Sequence, residues 1–156
     1  MQEQLKLSLR LELLWWSFTA ILALGILYPI VSKIDPYPFW GINLLYIVVF
    51  VTFTRYVFLL KFTFLAKMQW VKAALILVSV PIIFALIHYL NLFQTFVDER
   101  GPETLTSGLR GSEAEQLATY IRAEMMLFAV GSVIIAVIFP FRMLRSIWRV
   151  RNSGQV

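Results

Sequence analysis

The sequence predicts an all-α integral membrane protein with four transmembrane helices, cytoplasmic N and C termini and short amphipathic segments beside the membrane. Three observations predict it. Of the 156 residues 60% are hydrophobic and only 15% are charged, with a mean hydropathy of +0.77, too apolar a balance for a soluble domain. The apolar residues gather into four runs, each long enough to cross a hydrocarbon core roughly 30 Å thick at about 1.5 Å per residue. Most of the basic residues fall on one side of those runs. A single domain over 1–156 leaves little chain outside the bilayer.

The first span is expected over 11–31, where only Glu12 interrupts the apolar run and Trp15 and Trp16 stand at the depth of an interfacial aromatic belt. It is longer than the hydrophobic part of a signal peptide, and the following SKIDPYPFW has no small-residue cleavage pattern, so a retained span is expected. Ahead of it Leu5, Leu7, Leu9, Leu11 and Leu13 alternate with polar residues, as in a strand. Leu5, Leu9 and Leu13 are also four apart, and a short interfacial helix leaves no open sheet edge near lipid, so a helix is expected.

Asp35, Pro36 and Pro38 break the chain into a tight turn, because proline lacks an amide proton and biases its predecessor to extended geometry. A second span follows over 39–60 and contains Arg55. The segment Lys61 to Lys72 mixes lysines with Phe62, Phe64, Leu65 and Trp70, as an interfacial linker does. The third span, 73–93, carries Pro81 near its middle, where a kink is expected. The polar stretch 94–112 reads as the outer loop. Ser112 and Glu115 have capping-box spacing, which starts a helix leading into the fourth span, 121–140. Pro140 is expected to end it, ahead of a basic tail over 141–156 in which Leu144, Ile147 and Trp148 lie at helical spacing.

Ten of the fourteen lysines and arginines fall on the side of the two termini, which the positive-inside rule makes cytoplasmic. Lys61, Lys67, Lys72, Arg142, Arg145 and Arg149 are the expected contacts with anionic headgroups on that face. The plasma membrane or a bacterial inner membrane suits the pattern. A basic juxtamembrane tail belongs to any protein so oriented, so no nucleic-acid partner is expected.

Chemistry is sparse. The absence of cysteine removes thiolate nucleophiles, disulfide exchange and thiolate metal sites, and a single histidine removes multi-histidine metal and haem ligation. Phosphate-binding glycine loops and nucleophile elbows are also missing, so neither a catalytic residue nor a cofactor is expected. Ionisable groups at membrane depth remain the places to look. His88, Asn91 and Glu124 fall near the outer ends of spans three and four, where they form a proton or cation site or a plain polar contact between helices if the two spans are neighbours. Glu12 and Arg55 are a candidate inner pair, with a snorkelling, unpaired Arg55 the favoured expectation. Ala129, Gly131, Ser132 and Ala136 give span four a small-residue face suited to close contact, either within the chain or with another subunit.

The functional expectation is a non-catalytic membrane protein, a subunit or assembly factor of a larger complex. The alternative is a small oligomeric transporter or channel using the outer polar site. Its partners are then the lipid bilayer and either a foreign protein or further copies of itself.

Overall fold

The computed structural model describes residues 2–66 and 68–153, with backbone alone for 2–6, 8 and 153. It is all-helical: α1 (Gln2–Val31), α2 (Trp40–Phe58), α3 (Gln69–Arg100) and α4 (Ser112–Ser153), with short 3-10 turns at Leu60–Phe62, Phe64–Ala66 and Pro102–Thr106. Each of the four helices is long and apolar enough to cross a membrane. The chain is thus a multi-pass membrane protein by length and composition.

α2 and α4 form the central pair, with α1 laid against α2 and α3 against α4. Burial follows that order. In the most apolar window of each helix, 44% of residues are buried in α2 and 33% in α4, against 22% in α1 and 17% in α3. α1 contributes one seam, Thr19, Ala23, Leu27 and Ile30, spaced by three and four as a helix face requires. α4 contributes a seam along its whole length, from Leu117 through Ile121, Met125, Ala129, Ser132, Ala136 and Phe139 to Met143.

The small residues of α4 serve internal packing. Ala129, Ser132 and Ala136 are fully buried, and a Cβ on Gly131 would lie 2.8 Å from the Phe50 ring of α2. Phe50 in turn meets Phe128 edge-on, with ring centroids 5.6 Å apart. Absence of a side chain at Gly131 is what lets the two central helices approach at that level.

Element ends depart from the expected boundaries in three places. Residues 2–31 are one continuous helix, so the interfacial helix and the first span are the same element. α3 runs on to Arg100, turning the first part of the expected loop into two further turns of helix. Phe93 is buried there, and Phe93 and Phe96 both meet Phe39 edge-on at 5.3 and 5.1 Å. Gly101 ends the helix at a φ of +76°, its N–H donating to the Val97 carbonyl.

The third departure is at Pro140, which α4 passes through on its way to Ser153. Proline removes one backbone hydrogen bond, but Phe139 and Met143 on either side of it are buried with Tyr56, Val57, Leu60 and Leu65. That packing holds the helix together where local propensity would end it.

Ion and hydrogen-bond pairings divide the bundle into two ends. Glu12, Arg55, the 60–66 turns, Lys72 and Ser146 belong to the end that carries both termini. Residues 32–39 and 101–111 form the opposite, loop end, where Lys33 pairs with Glu113 at 2.5 Å.

Candidate functional site

Buried polar pairings stand at both ends of the bundle, and an exposed polar stripe runs along α3. At the termini end Arg55 is 5% exposed and bonds the Glu12 carboxylate at 2.5 Å. Glu12 also accepts from the Tyr56 hydroxyl at 3.2 Å, and the guanidinium lies over the Trp15 and Tyr56 rings. Arg55 therefore does not snorkel: α1 supplies its counter-charge. A lone guanidinium would have to reach water, whereas one matched with carboxylate and ring faces stays inside the bundle.

Lys72 also departs from its expected role. Its side chain is fully buried, and its ammonium donates to the Ala66 carbonyl at 2.7 Å, to Ser146 Oγ at 2.9 Å and to Gln69 Oε1 at 3.4 Å. Those acceptors match its three protons. It ties the 3-10 linker and the first turn of α3 to the far end of α4, so headgroups cannot be its partner. Arg142 is half-buried and donates from Nε to the Val57 carbonyl at 3.0 Å, capping the C-terminus of α2. Lys61, Arg145 and Arg149 are exposed, the first with its ammonium over the Phe62 ring. Lys67, the remaining expected headgroup contact, lies outside the described residues.

At the loop end the expected trio is not assembled. Glu124 is buried on α4 and accepts a hydrogen bond from Asn43 Nδ2 of α2. His88 and Asn91 are exposed on α3 and make no hydrogen bond among the described residues. The His88 ring lies 5.6 Å from that of Tyr89, tilted against it. The helices are neighbours as expected, but Glu124 lies on the side of α4 that meets α2.

Sequence reading missed Asn43 and Tyr37. Both are buried: Asn43 reaches Glu124 from α2, and the 32–39 turn folds Tyr37 and Phe39 inward into the core. Burial pushes the Tyr37 phenol well above its ordinary range. The phenol therefore stays protonated. Three atoms of this cluster, Tyr37 Oη, Asn43 Oδ1 and Glu124 Oε2, are buried with no hydrogen-bond partner. Tyr37 also lines a groove of about 470 Å³ at the loop end, with Leu27, Val31 and Trp40.

No protein-family model matches the chain, and no curated protein or solved structure does either. What these residues do has to be argued from their own chemistry. No group of three or more histidine, cysteine or carboxylate side chains among the described residues is placed to hold a metal ion.

The exposed stripe lies on α3. His88, Asn91, Thr95 and Asp98 are all exposed and recur at intervals of three and four, so they share one face of the helix. Below them the same face carries Leu77, Val80 and Phe84, also exposed. One side of α3 is thus apolar toward the termini end and polar toward the loop end.

Proposed function

We propose that this protein is a non-catalytic polytopic subunit or assembly factor of a larger membrane complex, with both termini in the cytoplasm and α3 as its docking helix. The observation that carries the reading is the stripe His88, Asn91, Thr95 and Asp98, which makes no hydrogen bond or ion pair among the described residues and lies on the least buried of the helices. Polar side chains below the headgroups are costly when they face lipid and pair readily with polar groups of another helix. The groups at the termini end favour scaffolding over turnover: Arg55 with Glu12, and Lys72 with its three acceptors, are held in place by the chain itself. The basic termini end supports cytoplasmic contact with anionic headgroups through Lys61, Arg145 and Arg149.

Site-directed photocrosslinking in native membranes tests the docking helix. A photoreactive residue at His88 or Asn91 is expected to trap a discrete foreign protein, while one at Leu24, exposed on α1, traps lipid. Lipid adducts alone at all three positions would contradict the reading.

One observation favours a second reading, a small oligomeric transporter: Glu124 is a carboxylate buried within the bundle with its Oε2 unpartnered. On that reading, flux of protons or small ions into liposomes depends on Glu124. Absence of flux from the reconstituted chain returns the weight to the subunit.

A further inference from the structure

We infer that Glu124 is a protonated carboxylic acid, joined to Asn43 through two hydrogen bonds, and that the pair is a proton-binding site at the loop end of the bundle. The inference goes beyond the subunit reading and does not depend on it.

Donors and acceptors in the buried pair do not balance unless Glu124 carries a proton. Glu124 and Asn43 are buried, and Asn43 Nδ2 donates to Glu124 Oε1. That single bond leaves Asn43 Oδ1 and Glu124 Oε2 without partners, and the Tyr37 hydroxyl, the third orphaned group, bonds to neither. Both are acceptors when the carboxyl is ionised, so neither can satisfy the other. A proton on Oε2 turns one of them into a donor for the other. The amide and the acid then close a planar two-point pair, and one proton removes two orphaned atoms together.

Charge leads to the same place. The ion pairs among the described residues are Lys33 with Glu113 and Arg55 with Glu12, and neither includes Glu124. The ionisable side chains that interact with it are Tyr37 from the turn and Tyr120 from its own helix, and from α2 it meets the neutral Asn43. Tyr120 is committed through its hydroxyl to the Ile26 carbonyl of α1, at 2.9 Å. An ionised carboxylate would thus sit in an apolar bundle with no cation against it, which costs far more than adding a proton. The proton comes from water on the loop side, where Tyr37, which interacts with Glu124, also walls a groove. Protonation forms the O–H bond and leaves hydroxide to the solvent, with no redox partner.

Infrared spectroscopy of the chain in sodium-free liposomes at neutral pH is the test. The wild type is expected to show a carboxylic C=O band that is lost in Glu124→Gln. Because glutamine reproduces the donors and acceptors of the neutral acid, that variant should also keep the wild-type melting temperature. Asn43→Ala, which removes the bond to Oε1, should shift the band to higher frequency, a readout available even if Glu124→Gln does not fold. Finding only ionised carboxylate bands in the wild type would overturn the proposal. So would a band unmoved by Asn43→Ala, and so would a carboxylate band that shifts when sodium replaces choline, which would make the site one for a monovalent cation.

Discussion

Arg55 and Glu12 are each costly inside the bundle and depend on each other, so the pair behaves as a unit. Arg55→Leu is expected to destabilise the chain by about 3–5 kcal/mol, because it leaves a buried carboxylate with no counter-charge. Glu12→Leu together with Arg55→Leu is expected to recover most of that loss. Reversible unfolding of both single variants and the double variant in mixed micelles gives the numbers, and a double-variant loss equal to the sum of the two single losses would show that the two do not interact. Lys72→Ala leaves Ser146 and the Ala66 carbonyl without their donor and is expected to cost about 1–3 kcal/mol in the same assay. These pairings were the least legible part of the sequence. Arg55 is 43 positions from Glu12, and Lys72 is 74 from Ser146, so nothing local announces either contact. An aliphatic run through lipid is also apolar on its outward face, which removes the amphipathic stripe that would show which way Arg55, Lys72 or Glu124 points.

Among the elements, α4 bears the most packing, and Gly131 is its closest approach to α2. Gly131→Leu is expected to push against the Phe50 ring and cost about 1–3 kcal/mol by overpacking, read from the same unfolding curve. A neutral result would place the α2–α4 contact elsewhere. The helices were legible because length and hydropathy set them, and Ser112 opened α4 at the predicted residue. Their far ends were harder to read. Pro140 looked like a stop because proline breaks isolated helices, yet Phe139 and Met143 are anchored on both sides of it. The extension of α3 had a signal that polarity concealed: Phe93, Phe96 and Val97 keep helical spacing, and Gly101 stands where a C-terminal cap is needed. Asn43 carried no such mark. Its significance depends on α2 lying beside α4, which only the assembled order of helices provides.

For the whole molecule, the proposed orientation rests on the charge asymmetry between the two ends, and the lack of cysteine makes it simple to examine. Ser107→Cys in the outer loop is expected to react with a membrane-impermeant maleimide in intact cells. Asn152→Cys on the tail should react only after lysis, and the reverse pattern would invert the protein. Function belongs to this scale as well. The interior groups are largely paired within the chain, while the polar face of α3 and the apolar faces of α1 and α3 turn outward, which is the surface distribution of a part made to sit against other parts. The most direct measurement of that claim is native mass analysis of the tagged full chain, purified in mild detergent from its own membrane. The account predicts foreign subunits in fixed stoichiometry, lost when His88 and Asn91 are both changed to leucine. A clean monomer or homo-oligomer, unchanged by those substitutions, would contradict it.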